Sequence, residues 1–370
     1  MVLREGRVRN NMDEIYIFGA HSRSQTLGVY LKKLNSELKI IAYLVDNDEI
    51  NPDNIDGVPV LYLKSNLNLN TTRKVYLGTR VIYHKEIAEK LKALGFKKII
   101  FNTPALDIEF RNKYLKLYYS ERGRRFDKLE NITSDGRRHH HSGSSCIYVV
   151  CSTSDVPLTE KWEIKPWMKM LQAGAALSDI SIAKLKDNVG EHISDRNKQF
   201  CELTGLYWIW KNSDEDIVGL EHNRRHFLLP DDWQKRMETN GIDVLLPTPL
   251  YVHPSLAGNY RARHIASDLD YVYSYVSNNC PKDGKALKDF LENTPIYSPC
   301  NMLIAKRNVL EEFCDWLFPI IFAAAEHGGM REDIYQNRYP GFLAERLMTY
   351  YFERHRDKYK VVYCDKNFMI

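Results

Sequence analysis

Short apolar runs alternate with amphipathic stretches over the first hundred or so residues. Residues 15–18 form an apolar run that ends in Gly19-Ala20, as a buried parallel strand does. The next stretch places four large side chains on one helical face: Leu27, Tyr30, Leu31 and Leu34. Further strands are predicted at 39–45, 58–60, 74–78 and 98–101, and a second amphipathic helix at 83–94. This alternation predicts a small Rossmann-like domain with a parallel, doubly wound sheet over residues 13–105.

The composition changes over residues 106–145, which we interpret as a linker. This stretch is rich in Arg, Lys and Tyr and runs into His139-His140-His141. Three consecutive imidazoles are potential metal ligands, but the surrounding composition favours a solvated connection between domains.

The pattern of alternation resumes over residues 146–370 and predicts one larger α/β domain. Strands are predicted at 147–151, 217–220, 242–246, 301–305 and 360–363. Helices are predicted at 207–210, 268–278, 309–326 and 341–355.

Composition and charge exclude several classes of protein. The 52 Lys and Arg against 48 Asp and Glu leave a formal charge of +4, which gives no basis for a nucleic-acid-binding surface. With 44% hydrophobic and 27% charged residues, the chain is neither disordered nor a membrane bundle. Seven irregularly spaced cysteines and no apolar leader predict reduced thiols in a cytoplasmic protein.

The first strand is followed by a turn that partly fits a dinucleotide-binding fingerprint. Such a fingerprint has three glycines, and here only Gly19 is present, with His21 and Ser24 at the other two positions. Ser22 and Arg23 can hold a phosphate, and Asp46 follows the second strand at the distance of a ribose contact. The candidate cofactor-binding residues are Gly19, Ser22, Arg23 and Asp46. The alternative is a fold that binds no nucleotide.

This first domain resembles the nucleotide-binding-like amino-terminal domain of bacterial sugar acyltransferases and capsule-locus enzymes. The resemblance lies in residues 15–20, in Asp56-Gly57-Val58-Pro59-Val60, and in residues 84–87 with 94–96. The chain departs from that pattern at the missing glycines.

In the second domain, an apolar strand ends in Glu221-His222-Asn223-Arg224-Arg225-His226. Open α/β sheets bind ligands at the carboxyl ends of their strands. Arg224 and Arg225 can clamp a diphosphate bidentately, and His222 can donate to it, so the candidate donor-binding residues are Glu221, His222, Asn223, Arg224 and Arg225. The alternative is that adjacent arginines point apart and form surface ion pairs.

Residues 146–354 resemble an uncharacterised-domain family of capsular-polysaccharide and lipopolysaccharide glycosyltransferases. The matching phrases are residues 172–177, Glu202-Leu203-Thr204, residues 207–212, Val218-Gly219-Leu220, His222 with Arg224-Arg225, His264 with Asp268-Leu269, Asn301-Met302 and residues 341–347. The family has Cys-His-Tyr-Arg-Arg-Tyr where this chain has Glu221 to His226, so the His and both arginines are kept.

The resemblance implies a GT-A-like fold and a nucleotide-sugar donor. Such folds place an Asp-x-Asp motif after a central strand to hold a divalent metal, and Glu221-His222-Asn223 is not that motif. Asp214-Glu215-Asp216 has the spacing, but it precedes the strand and is expected to be a solvated turn. Two arginines can replace the charge of the metal, which allows metal-independent transfer, while Mg or Mn held through Glu221 is the alternative.

Transfer with inversion needs a carboxylate that removes the proton of the acceptor hydroxyl. Glu345, at the start of an amphipathic segment, is the leading candidate for this base, although an acid in a first helical turn also simply complements the helix dipole. Asp268 and Asp270 come second and Asp333 third. Three cysteines in apolar contexts are expected to be inert core thiols: Cys201, Cys300 and Cys314.

These observations favour a cytoplasmic glycosyltransferase that moves a hexosyl group from a UDP-sugar onto a surface-polysaccharide acceptor with inversion. The resemblance suggests galactose or its furanose form. A lipid-linked acceptor would bring the protein to the inner face of the membrane, where the basic, aromatic residues 111–125 would help it to dock. Tyr207, Trp208 and Trp210 are candidates to support the nucleotide pocket.

Two alternatives stay open. One is a non-catalytic protein that binds a nucleotide sugar or serves as a scaffold. The weaker one is a sugar-nucleotide oxidoreductase, for which no Ser/Tyr/Lys constellation is present.

Overall fold

The computed structural model describes residues 13–46, 49–64, 68–134, 143–160 and 162–369. The chain forms two compact units that divide between Arg125 and Phe126. The triple histidine His139-His140-His141 lies outside the described residues.

The first unit is a Rossmann-like α/β domain. Its elements are β1 (Glu14–Phe18), α1 (Ser22–Leu34), β2 (Lys39–Val45), β3 (Asn54–Ile55), β4 (Val58–Tyr62), β5 (Lys74–Leu77), α2 (His84–Ala93), β6 (Lys98–Phe101) and α3 (Pro104–Ser120). The sheet has the order β3-β4-β2-β1-β5-β6, and only the β3–β4 pair is antiparallel. The predicted parallel sheet is therefore confirmed.

Each face of this sheet has its own apolar layer, as a doubly wound sheet requires. Leu27 and Leu31 of α1 pack on one face. Ile87 and Leu91 of α2 pack on the other. The end of β5 lies so close to α1 that a Cβ on Gly78 would fall 2.7 Å from the Cα of Ser24.

The expected linker contains a helix that belongs to the first unit. Helix α3 begins after Thr103, whose hydroxyl accepts a hydrogen bond from the Leu106 N–H at 3.3 Å. Tyr114 and Tyr118 are buried on one side of α3, and Tyr114 packs against Tyr30 of α1 with ring centroids 5.1 Å apart. The aromatic side chains of this basic stretch are thus core residues, which composition alone concealed.

The second unit is the larger α/β domain. Its elements are β7 (Ser145–Cys151), β8 (Met168–Gln172), β9 (Leu185–Lys186), α4 (Asn197–Phe200), α5 (Leu203–Asn212), β10 (Ile217–His222), α6 (Trp233–Thr239), β11 (Val244–Pro247), β12 (Leu250–Tyr251), α7 (Leu256–Arg261), α8 (Ala266–Asn279), α9 (Pro281–Asn293), β13 (Ile296–Tyr297), β14 (Leu303–Lys306), α10 (Arg307–Gly328), α11 (Tyr339–Arg354) and β15 (Val361–Cys364).

The central sheet of this unit has the order β15-β11-β14-β10-β7-β8-β9. Strand β14 runs antiparallel to both of its neighbours, and all other neighbours are parallel. Each strand and helix predicted for this unit has a counterpart. Strand β8 was not predicted, because its sequence Met-Lys-Met-Leu-Gln has no continuous apolar run.

Candidate functional site

A tight turn follows the carboxyl end of β10 in the second unit. The His222 and Arg225 backbones hydrogen-bond to each other in both directions, at 3.2 and 3.0 Å. The guanidinium groups of Arg224 and Arg225 lie 5.7 and 5.2 Å from the centre of the Phe368 ring. Within the described part of the chain, neither arginine forms an ion pair. The two arginines therefore face the same ring and do not point apart.

Glu345 lies in the second turn of α11, with its carboxyl group in a mostly buried position. Its side chain is 17% exposed, and its Oε1 accepts a 2.6 Å hydrogen bond from the Cys300 N–H. Burial raises the pKa of Glu345, and the nearby charge of Glu202 adds to the increase. Arg346, the Cys300 N–H and Arg225 oppose it. A carboxyl group with a raised pKa is suited to proton transfer near neutral pH.

Hydrogen bonds from the turn at Cys300-Asn301 link the end of β10 to α11. His222 Nε2 donates to the Cys300 carbonyl at 2.6 Å, and the Cys300 N–H donates to the Glu345 carboxyl group. Asn301 Nδ2 donates to Glu202 Oε1 at 2.8 Å and to the Gly341 carbonyl at 3.0 Å. These hydrogen bonds fix the positions of the Glu345 and Glu202 carboxylates.

The backbone around these carboxylates is strained. Cys201 has a φ of 50°, Cys300 of 78° and Asn301 of 49°, values that side chains with a Cβ rarely adopt. Asp56 is the fourth such residue in the described part of the chain. Strain of about 1–3 kcal/mol per residue persists where the surroundings impose it, typically at functional sites.

The structure changes the role of His222. Because Nε2 donates to a carbonyl, and burial lowers the pKa of the imidazole, the ring is neutral and has no second N–H for a phosphate. The predicted donation to a diphosphate does not fit this geometry. His222 instead fixes the turn that holds Glu345.

Glu221 also has a structural role. Glu221 is fully buried, and its oxygens accept hydrogen bonds from His226 Nδ1 at 2.9 Å and the Phe227 N–H at 2.8 Å. Glu221 and His226, two of the three residues that depart from the family pattern, thus contact each other. The backbone N–H of Asn223 donates to Val150 at 2.9 Å.

No group of three His, Cys, Asp or Glu suited to a metal occurs within the described ranges. Glu221 is fully buried, and each of its oxygens already accepts a hydrogen bond within the protein. The expected solvated turn at 214–216 is only partly exposed, since Glu215 is buried against Tyr148, whose hydroxyl donates to it at 3.0 Å. This turn also lies at the amino end of β10, away from the site.

The other acids proposed as bases are engaged elsewhere. Asp268 is buried, and its carboxylate accepts hydrogen bonds from Arg331, at 2.9 Å to Oδ2, and from the Tyr260 hydroxyl at 3.2 Å. Asp270 pairs with Arg261, and Asp333 accepts a bond from the Gln336 N–H. Of these candidate bases, Glu345 is the one that hydrogen bonds link to the β10 turn.

The aromatic side chains of α5 pack against neighbouring helices. Trp208 is buried and its indole N–H donates to the Val189 carbonyl at 2.7 Å. Trp210 stacks on Phe318 of α10 with ring centroids 5.4 Å apart. Tyr207 packs edge-on against the same ring. Their role in a nucleotide pocket has no support in these contacts.

Four residues of the site were not predicted: Glu202, Asn301, Arg338 and Lys366. Arg338 Nε donates to the thiol of Cys201 at 3.1 Å, and Lys366 lowers the pKa of Cys300 against the larger effect of burial, which raises it to about 11. Cys201 and Cys300 therefore lie beside the candidate site on strained backbone, and of the three cysteines expected to be core thiols, Cys314 is fully buried. The rule that ligands bind at strand ends could have indicated Lys366, which follows β15 by two residues.

The first unit contains a cavity of about 700 Å³ at the carboxyl ends of β1, β2 and β5. All four candidate cofactor-binding residues line it: Gly19, Ser22, Arg23 and Asp46. Asp46 is paired with Lys90 at 2.7 Å. Arg23 and Arg80 line the cavity and form no hydrogen bond or ion pair through their side chains in the described ranges.

Comparisons with known proteins identify a family and a fold. The family model of DUF4422, a domain of unknown function, matches residues 157–356. A solved apo structure of the WbbM bifunctional glycosyltransferase is similar, with a TM-score of 0.52 and 24% identity. The similarity covers 61% of this chain but only 45% of that one, and it shows a shared fold. No curated protein matches the chain. None of the helices in the described ranges is long and apolar enough to cross a membrane.

Proposed function

The chain belongs to the DUF4422 family, and on this premise we propose that it is a glycosyltransferase. In this proposal, a hexosyl group moves from a UDP-sugar to a surface-polysaccharide acceptor with inversion. The observation that carries the proposal is Glu345, a largely buried carboxyl group with a raised pKa, beside cations that have no carboxylate partner. Support for the fold comes from the structural similarity to a protein described as a bifunctional glycosyltransferase.

Glu345 is the proposed base. Its carboxylate accepts the proton of the acceptor hydroxyl, and the hydroxyl oxygen then forms a bond to the anomeric carbon of the donor. The bond between that carbon and the diphosphate oxygen breaks, and UDP leaves with the electron pair. The proton thus rests on Glu345 until it is released to solvent.

Arg224, Arg225 and Lys366 are the proposed binding residues for the donor diphosphate. The charges of Arg225 and Lys366 both act on His222 and Cys300, which places the two cations at the same turn. Guanidinium groups bind phosphate oxygens bidentately and stabilise the charge that develops on the leaving group. This arrangement supports metal-independent transfer, with galactose or galactofuranose as the proposed sugar.

We propose that the cavity of the first unit holds a nucleotide. Its volume of about 700 Å³ lies in the range of small-molecule sites. Arg23 and Arg80 would neutralise phosphate charge, and Asp46 would contact a ribose hydroxyl.

The alternative is a scaffold that binds a nucleotide sugar without turnover. One observation favours it: Glu221, at the place of the metal-binding motif, has both oxygens engaged within the protein. The experiment below separates the two proposals.

The test is nucleotide release from a panel of nucleotide sugars, measured with EDTA and with added Mn²⁺, alongside binding by calorimetry. Transferase activity predicts slow release of UDP from one donor, and loss of release in a folded Glu345→Gln variant. If EDTA abolishes nucleotide release, the transfer depends on a metal and the proposed arginine mechanism is wrong. Binding without release supports the scaffold. Absence of both binding and release would contradict both proposals.

A further inference from the structure

Three rings that contact one another, here called the ring stack, lie near Glu345. His264 lies 4.2 Å from Phe342 and 5.6 Å from Tyr335, with ring planes inclined by 24° and 23°. Tyr335 and Phe342 are 5.0 Å apart. Phe342 precedes Glu345 by three residues, so the two side chains lie on the same side of α11. The ring stack is therefore adjacent to the proposed base.

One ring of this stack is exposed to solvent. Tyr335 is 48% exposed, although its ring is fixed by two neighbours. A fixed and exposed aromatic face binds the apolar face of a sugar ring without ordering a mobile side chain.

His264 has unused hydrogen-bonding capacity at the same place. It is 9% exposed, and its Nδ1 is buried without a partner among the described residues. Burial lowers the pKa of His264 to about 4, and Arg346 and Arg263 add to this effect. The ring is therefore neutral at physiological pH, and an unpaired buried nitrogen is costly unless a ligand supplies its partner.

Arg263 provides an uncompensated positive charge next to the stack. Its guanidinium forms no hydrogen bond or ion pair in the described part of the chain, whereas nearby Arg261 pairs with Glu292 at 2.8 Å. Gln336 donates to the Arg263 carbonyl at 2.9 Å, which joins this residue to the Tyr335 loop. Burial and, after it, Glu345 raise the pKa of Tyr297, whereas Arg263 lowers it, so the charges of Arg263 and Glu345 both lie near this ring.

We propose that Tyr335, His264 and Arg263 form the acceptor site, and that the acceptor is a saccharide with an anionic group. A sugar ring stacks on Tyr335, His264 bonds to one of its polar groups, and Arg263 binds a phosphate or a carboxylate. The β10 turn with Arg225 and Lys366 then serves the donor, and Glu345 lies between the two. This inference rests on the proposed transferase function.

The test is saturation-transfer NMR of the full chain with four probes. They are a free hexose, the same hexose as its 1-phosphate, the corresponding hexuronic acid, and the hexose joined through a diphosphate to a short alkyl chain. At least one anionic probe is expected to bind about tenfold more tightly than the free hexose, since a charge-assisted hydrogen bond contributes this much. The preferred anionic probe identifies the source of the charge: a phosphosugar, a uronic acid or a lipid diphosphate.

Arg263 and Tyr335 each have a variant with its own expected outcome, and three further variants are controls. Arg263→Gln is expected to remove the preference for anionic probes, and the paired Arg261→Gln is expected to keep it. Tyr335→Ala is expected to weaken every probe about fivefold to tenfold through loss of the stacking face, while Tyr335→Phe restores binding. Ile334→Ala, next to Tyr335, should leave binding unchanged.

Several results would overturn the acceptor site. These are equal binding of all four probes, unchanged binding in Tyr335→Ala, or no saturation transfer to any probe. Nucleotide release by the wild-type protein keeps the two proposals distinguishable. If release occurs while the acceptor site fails these tests, only this inference is wrong, whereas no release from any donor contradicts the transferase function itself.

Discussion

Glu345 combines partial burial with a single short backbone hydrogen bond, and this environment determines its expected pH dependence. A base must be deprotonated to act, and burial raises the pKa of this carboxyl above the ordinary value of 4.5. The ascending limb of kcat/KM against pH should therefore lie above that of an ordinary glutamate. A profile that is already flat at pH 5 would contradict this assignment of the base.

Replacement of Glu345 by Gln should separate activity from stability. We expect kcat to fall by about 10²–10⁴, the usual contribution of a general base. Because the pKa is raised in the folded state, the carboxylate contributes stability only at low pH and loses it as the pH rises through the folded pKa. The variant should thus be at least as stable as the wild type at pH 7 in urea unfolding. Glu311→Gln, an exposed change on α10, is the matched control and should alter neither quantity.

Replacement of Asp268, in contrast to that of Glu345, should lower the stability of the protein. Its buried carboxylate pairs with Arg331, and removal of one partner from a buried pair leaves an uncompensated charge at a cost of about 3–5 kcal/mol. Asp268→Asn should therefore lower the free energy of unfolding by this order, whereas the exposed Asp270→Asn should change it little. If Asp268→Asn stays fully stable and loses only kcat, Asp268 is a catalytic residue and the structural role is wrong.

At the level of elements, the contact between α1 and the end of β5 depends on the absence of a side chain at Gly78. A Cβ there would lie 2.6 Å from the Cβ and 2.7 Å from the Cα of Ser24, and backbone cannot move away cheaply. Gly78→Ala should lower the thermal midpoint of the first unit, with a cost of about 1–3 kcal/mol typical of overpacking.

Gly57→Ala is the control for this change. A Cβ at Gly57 meets nothing within 4 Å, although its φ of +77° carries some strain. An effect of Gly57→Ala equal to that of Gly78→Ala, measured by circular dichroism on heating, would show that the close approach at Gly78 costs no more than the backbone strain at Gly57.

At the level of the whole molecule, each unit has its own apolar core and its own candidate ligand site. Hydrogen exchange followed by mass spectrometry should assign ligands to units, because binding slows the opening of the segments that it orders. A UDP-sugar should slow exchange at residues 298–302 in the second unit. A nucleotide held in the first-unit cavity should slow exchange at residues 20–26, and Arg23→Gln should abolish that protection. Protection of the second unit alone would leave the first-unit cavity without this ligand.

The sequence by itself determined the α/β class of both units. Strand and helix are encoded locally, by the periods at which apolar residues recur, so that β2 and β6 were predicted at their observed bounds. Where local patterning was weak, the elements were missed. The buried tyrosines of α3 were hidden among basic residues, and β8 alternates without an apolar run.

The tertiary structure alone decided which polar groups meet. Glu345 is 45 residues from the Cys300 N–H that holds it, and Asn301 is 99 residues from Glu202. No periodicity records such partners, because they are chosen by the order of strands in the sheet and by the strained turn between β13 and β14. The residue types of the β10 turn were evident in the sequence, but only burial and hydrogen bonding showed that Glu221 and His222 support the site while Arg225 faces it.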